Sequence, residues 1–443
     1  MRKLEKEAGE GDAGAAMQET RYSPTYSAYV LGILTLTFAF NFADRQLMTI
    51  LLEPVKAEFG ASDTAMGLLT GFTLVLFYAA FSVPIARLAD RGSRRTVVAG
   101  SVALWSLMTA ACGLAGSFWA LTAARIGVAV GEAGGMPASQ ALLADYYPPR
   151  RRSTVLGIYA TGSHLGIFLG LFGGAVLAHY WGWRWAFIGL GLPGVALALV
   201  VRYTVAEPAR SQVAEAPPPL FATLGEILRS RAFRLLALAA GFTSLSGYGL
   251  ATWLPSFLVR VHEVPLVHAG LMLGVGSTLG GLAGAIWGGV LCDRMSRRDR
   301  AWQLRIPALA VLLSAPVLAL MLLWPEHHGW RVGEMVVPVA ALFIPINAFL
   351  IAMWIGPIYA AAQNLVRPAW RSQALALLLL ITNLIGSGGG PLLVGVLSDL
   401  FTPVSPTASL RYALLSSLVT VVVGAVLFWR AGAFYRLESN PDV

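Results

Sequence analysis

Apolar runs of about twenty residues recur along this chain between short charged loops, and each is long enough to cross about 30 Å of hydrocarbon as a helix. They lie at 27–49, 65–87, 96–115, 118–143, 153–178, 184–205, 233–258, 267–291, 304–324, 335–360, 371–398 and 410–431. The pattern predicts an all-α membrane protein with twelve transmembrane helices. Gly and Pro interrupt the fourth, tenth and eleventh runs, where helix geometry is under most strain.

The polar stretches divide the chain. Residues 1–24 are charged, small and polar, with no apolar core of a signal peptide, and read as a disordered cytoplasmic tail. The first six runs form an N-terminal half, 25–206, and the last six a C-terminal half, 233–432. Between them, 207–232 is a linker with a Pro217-Pro218-Pro219 run. Its second part repeats Leu220, Phe221, Leu224, Ile227 and Leu228 at the spacing of an amphipathic helix lying on the membrane surface. A short tail, 433–443, closes the chain.

Composition agrees with this pattern: 56% of the 443 residues are hydrophobic and only 12% charged, which excludes an ordinary soluble domain. The formal charge of +9 does not gather into a nucleic-acid footprint. Arg91, Arg94 and Arg95, then Arg150 to Arg152, then Arg294, Arg297, Arg298 and Arg300, then Arg367 and Arg371 fall in alternate loops. The positive-inside rule places those loops and both termini in the cytoplasm of a cell-membrane protein. Loops between them carry Glu53, Glu58 and Asp63, or Glu326, His327 and His328. Cys112 and Cys292, in or beside different runs, form neither a disulfide framework nor a metal site and read as packing residues.

Two runs hold charges that need a reason. In the first, Asn41, Asp44 and Arg45 share a helical face. In the fourth, Arg125 and Glu132 lie two turns apart on one face. Intramembrane charges cost several kcal/mol and normally face a bundle interior or a water-filled cavity. Counting about 1.5 Å per residue from opposite ends puts the two sets at overlapping depths. Asp44 and Glu132 are therefore candidate proton carriers, and Arg45, Arg125 and Asn41 candidate substrate ligands. An anionic head group that drew an arginine from its carboxylate would link proton and substrate movement; a purely structural salt-bridge network is the alternative.

A repeat is the most specific signal. Ala86-Arg87-Leu88-Ala89-Asp90-Arg91-Gly92-Ser93-Arg94-Arg95 follows the second run, and Gly289-Val290-Leu291-Cys292-Asp293-Arg294-Met295-Ser296-Arg297-Arg298 follows the eighth. Basic anchoring explains the arginines but not an Asp before them in both copies. The pair of loops resembles the signature loop of the major facilitator superfamily, which implies two pseudo-symmetric six-helix halves working by alternating access. The resemblance implies gating roles for Asp90, Arg91, Arg94 and Arg95 and for Asp293, Arg294, Arg297 and Arg298. It also departs once, with Ala86 where the family usually has Gly.

Asn41-Phe42-Ala43-Asp44-Arg45, Arg125 with Gly131-Glu132-Ala133, and Gly241-Phe242-Thr243 followed by Trp253-Leu254-Pro255 resemble the Spinster family within that superfamily. Its animal members are associated with sphingosine phosphate and lysophospholipids, so the resemblance implies proton-coupled transport of an anionic amphiphile. A carrier of small organic anions or drugs would use the same arginines. The second half has no intramembrane acid at comparable depth and offers neutral candidates: Thr243, Tyr248, Asn347, Trp354, Tyr359, Thr382 and Asn383. His164, among Gly162, Gly166, Gly170 and Gly174, is either a titrating substrate ligand or a packing residue in a close-packing ladder.

Gly386-Ser387-Gly388-Gly389-Gly390-Pro391 lies inside an apolar run without a following Gly-Lys-Ser/Thr, and reads as a pliable helix rather than a phosphate loop. No nucleophile elbow or metal-ligand spacing appears, so neither an enzyme nor a cofactor is expected. The expected partners are a small-molecule or lipid substrate, protons and the bilayer, with no nucleic acid, and the chain is expected to act as a monomer.

Overall fold

A computed structural model describes residues 22–208, 220–326, 328–333, 335–367 and 370–439. Its long helices follow the apolar runs. They are α1 Pro24–Ile50, α2 Asp63–Ala89, α3 Arg94–Gly113, α4 Phe118–Tyr146, α5 Thr154–Trp181 and α6 Trp183–Thr204, then α7 Arg231–His262, α8 Leu266–Ser296, α9 Trp302–Leu323, α10 Val339–Asn364, α11 Arg371–Phe401 and α12 Ser409–Glu438. Among the described residues, eleven of these are long and apolar enough to cross a membrane. The twelfth, α4, has 29 residues, but Arg125 and Glu132 lower its mean hydropathy. The charges that make it a functional candidate are those that weaken its membrane signature.

Local chemistry fixes the helix ends. Ser93, Ser117 and Ser230 cap α3, α4 and α7, each hydroxyl accepting from the backbone N–H three residues on. A short helix, Leu52–Phe59, follows α1 and stops at Gly60, whose φ of 60° is the left-handed conformation that glycine adopts without strain. The linker segment Leu220–Arg229 is helical. Its Ile227 is buried in a core with Phe233, Leu236 and Phe428, and Glu226 and Arg229 are exposed. Gly329–Val332 and Met335–Pro338 form an antiparallel hairpin between α9 and α10, a feature with no helical-period signal to announce it.

Among the described residues, two helices carry a π-helical turn, Leu169–Gly173 in α5 and Asn383–Gly388 in α11. Such turns widen the backbone ladder and are frequent at functional sites. The glycine-rich stretch of α11 is thus a helix with a bulge in it.

The chain divides into two compact units: Met1–Arg45, Phe77–Ile167 and Arg184–Ala214 in one, and Gln46–Leu76, Phe168–Trp183 and Glu215–Val443 in the other. This division does not coincide with the linker. The last residues of α1, the first part of α2 and the last part of α5 belong with the whole of α7 to α12.

In the first unit, Gly131 and Gly135 of α4 lie against Trp105 of α3, and Gly162 and Gly166 of α5 lie against the backbone of Thr35 and Ala39 of α1. In the second, Gly280, Gly284 and Gly288 of α8 lie against the backbone of α10 at Pro345, Phe349 and Met353. Small residues one turn apart let helix backbones approach closely, which is how helices associate where lipid removes the hydrophobic drive. The start of α2 meets α11 in the same way: a side chain at Gly67 would collide with the Pro391 carbonyl, and one at Gly71 with that of Gly388.

Candidate substrate and ion-coupling site

The charges of α1 and α4 meet within the first unit and pair crosswise. Asp44 Oδ2 accepts from Arg125 Nη1 at 2.7 Å, and Asp44 Oδ1 accepts from the Thr109 hydroxyl of α3 at 2.6 Å. Arg45 donates from Nε at 2.8 Å and lies 2.6 Å from the same Glu132 Oε2 through Nη2. Neighbouring residues on α1 therefore hold residues of α4 two turns apart. Asn41 is buried one turn away on α1 and takes no part in these ion pairs.

The two pairs differ in access. Both side chains of Asp44–Arg125 are buried, at 2% and 1% exposure, whereas Arg45 is 40% exposed over a Glu132 of only 5%. Glu132 Oε1 is buried without a hydrogen-bond partner. The Arg45 guanidinium also lies 5.6 Å from the centre of the Tyr78 ring and 6.0 Å from that of Phe42, at cation–π range. Chemically, one pair is a sealed ion pair with a third group on it. The other is an exchangeable pair, in which a competing anion can reach the arginine and the carboxylate has spare capacity for a proton.

The remaining sequence candidates are dispersed. His164 is half-buried on α5, its Nδ1 3.4 Å from the Ser163 hydroxyl. Thr243 is buried on α7 against Gly424 of α12. Trp354 packs 6.0 Å from the Phe428 ring, and Tyr359 sits at the edge of the same core. Thr382 turns its hydroxyl back to the Leu378 carbonyl, 3.0 Å away, while Asn383 and Tyr248 are exposed. Asn347 is buried and lines a cavity taken up below.

The two loop copies are alike in sequence and unlike in contacts. In the first, Arg94 pairs with Asp145 at the end of α4, and Glu207, just beyond α6, accepts from the Ser93 hydroxyl at 2.7 Å and from the backbone N–H groups of Arg94 and Arg95 at 2.8 Å. Glu207 thereby neutralises the positive end of α3. The side chains of Asp90 and Arg91 lie outside the described residues. In the second copy, Asp293, Arg294, Arg297 and Arg298 are exposed, and no ion pair joins them to another side chain among the described residues. Asp299 instead lies 3.8 Å from Arg305 and 3.7 Å from Arg436.

A further charged group, within the second unit, was not singled out by sequence reasoning. Asp63, at the start of α2, is buried and accepts from Arg260 of α7 through both oxygens, at 2.7 and 2.8 Å. Lys56 pairs with it, and the Ser398 hydroxyl of α11 donates to it at 2.6 Å. Arg260 also pairs with Glu53 at 2.7 Å. Asp399 caps α2, accepting from the backbone N–H of Asp63 at 3.1 Å and of Thr64 at 2.8 Å. The only signal in the sequence was Arg260, a base near the end of an apolar run whose loop is not one of the basic ones.

Comparison with known proteins decides the family. The Major Facilitator Superfamily profile matches residues 34–391. The chain belongs to the major facilitator superfamily. It is 34% identical to an MFS-type efflux pump of Mycolicibacterium smegmatis over 94% of this chain and 95% of the relative. It is 29% identical to human protein spinster homolog 1, over 92% of this chain and 80% of that protein. A solved bacterial homolog of the human lysosomal transporter Spinster, inward-facing and unoccupied, superposes with a TM-score of 0.84 at 29% identity, covering 95% of this chain and all of that one. The fold is therefore the major facilitator fold of two pseudo-symmetric halves, and the protein is a Spinster-like multi-pass membrane transporter, not an enzyme.

Proposed function

We propose that this secondary transporter couples protons to the movement of an anionic amphiphile of the lysophospholipid or sphingoid-phosphate type. The observation that carries the reading is the exchangeable Arg45–Glu132 pair beside the sealed Asp44–Arg125 pair. An anionic head group that reaches the exposed guanidinium of Arg45 competes for the donors now held by Glu132. A buried carboxylate that loses its cation is relieved by taking up a proton, because an unpaired charge is costly in a low-dielectric site. Release of the proton restores the pair and expels the anion. Asp44, held by Arg125 and Thr109, keeps the two helices in register and makes the local field in which Glu132 exchanges. The cytoplasmic placement of the basic loops and both termini belongs to the same reading, as does a single chain as the working unit.

Alternating access also requires that one face close while the other opens. The Asp63–Arg260–Lys56 group joins segments from before and after the linker, on the face remote from the arginine-rich loops. It acts as the lock of that face. Arg94–Asp145 and Glu207 act at the opposite ends of their helices.

A second reading, proton-driven export of small organic anions or drugs, is favoured by the similarity to the mycobacterial efflux pump. Proteoliposomes with an internal pH dye separate the two. A lysophospholipid or sphingoid phosphate, then a small aromatic acid, is added with and without a pH gradient. Proton movement triggered by the amphiphile in the native protein, and lost in Glu132→Gln, is the expected result. Movement triggered by the small acid alone transfers the substrate to the second reading, and undiminished coupling in Glu132→Gln removes that residue as the carrier.

A further inference from the structure

Within the second unit, α7, α8, α9 and α10 line a partly open cavity of about 160 Å³. Its walls are mostly apolar, with Leu254 of α7, Leu318 of α9, and Ile344 and Ile351 of α10. Three polar side chains break that wall, and one of them has a buried atom without a partner. The Asn347 side chain lines the cavity, is 8% exposed, and has an amide oxygen with no hydrogen-bond partner. Ser246 and Ser277 also reach the lining and add two hydroxyls to it.

The combination is selective. A cavity of about this volume with largely apolar walls has room for a benzene-sized ring. A carboxylate or ammonium would be buried here without a counter-charge. Leucine at position 347 would fill similar space with no polar group to satisfy, so an amide makes physical sense when something donates to it. We propose that this cavity binds a neutral, ring-sized organic group bearing one hydroxyl or N–H, with the ring against Leu254, Leu318, Ile344 and Ile351 and the donor on the Asn347 oxygen. The site uses none of Asp44, Arg45, Arg125 and Glu132, and it stands independently of proton coupling.

The test is equilibrium binding of 4-fluorophenol and of fluorobenzene to the full chain in lipid nanodiscs, read by fluorine NMR against empty discs. The native protein binds both, the phenol tighter by about three- to tenfold, the worth of one hydrogen bond. Asn347→Leu keeps the ring and loses that preference. Gly247→Leu, at a lining position where a Cβ meets nothing within 4 Å, fills the cavity without displacing backbone and loses both probes. Ala251→Leu, one turn further along the same wall, gives the same loss if the first variant does not fold. No protein-dependent binding, a preference that survives in Asn347→Leu, or native-like binding in the folded cavity-filling variants would each overturn the assignment.

Discussion

Asp44 and Asp63 are both buried carboxylates held by an arginine, and each has a hydroxyl as a further donor, Thr109 for one and Ser398 for the other. They differ in where the partners come from. Asp44 takes both of its partners from helices that precede the linker. Asp63 takes Lys56 from its own neighbourhood but Arg260 and Ser398 from beyond the linker. A transporter that alternates can keep the first arrangement intact throughout its cycle. In the proposed cycle, the second parts whenever the face it locks opens. The larger number of donors around Asp63 fits the proposed lock, which regains solvation when it parts into a wetter environment, whereas Asp44 has no such exit.

The most damaging way to probe this contrast is Arg125→Leu, which leaves Asp44 as a buried charge with only a hydroxyl. It should cost about 3–5 kcal/mol and appear as loss of folded, monodisperse protein on heating in detergent, whatever the conformation. Arg260→Gln, by contrast, should act on the conformational balance. Removing its paired hydrogen bonds to Asp63 should weaken the closed face by roughly 2–3 kcal/mol with little change in the unfolding temperature. Labelling of a cysteine introduced at Thr64 by a membrane-impermeant maleimide reads this out, because Cys112 and Cys292 are both buried. If Arg260→Gln instead unfolds the protein as readily as Arg125→Leu, Asp63 is a structural ion pair and the contrast fails.

Thr109→Val sharpens the same comparison at lower cost. It removes one donor from Asp44 without disturbing shape, and should lower stability by about 1.5 kcal/mol while leaving maleimide labelling at Thr64 unchanged. The smallest effect is expected at Glu207→Gln, which removes the negative charge from the start of α3 but keeps an acceptor there. About 0.5–1 kcal/mol should be lost, screened by salt, and seen as a modest salt-dependent drop in unfolding temperature.

Legibility in the sequence was uneven, for reasons that particular residues show. Asp44, Arg45, Arg125 and Glu132 stood out because charge in an apolar run is conspicuous, and a shared face follows from helical spacing alone. That Asp44 would take Arg125 while Arg45 took Glu132 did not follow, since spacing within a helix says nothing about rotation between helices. Asp63 was hidden by its position just outside the second apolar run, where acids are ordinary. The two repeat loops, so similar in sequence, gave no hint that Glu207 and Asp145 would engage only the first copy.

What the chain determines by itself is the set of apolar spans, their caps, the acids and bases embedded in them, and the repeat that betrays two related halves. These depend on local transfer energies, helix propensity and periodicity, all properties of short windows. Only the tertiary structure decided the crossed pairing, the assembly of Asp63 with Arg260 and Ser398, the grouping of the ends of α1, α2 and α5 with the second half, and the cavity at Asn347. Those arise from contacts between residues distant in sequence, where angles and close approaches between whole helices choose among many pairings that the same local pattern allows.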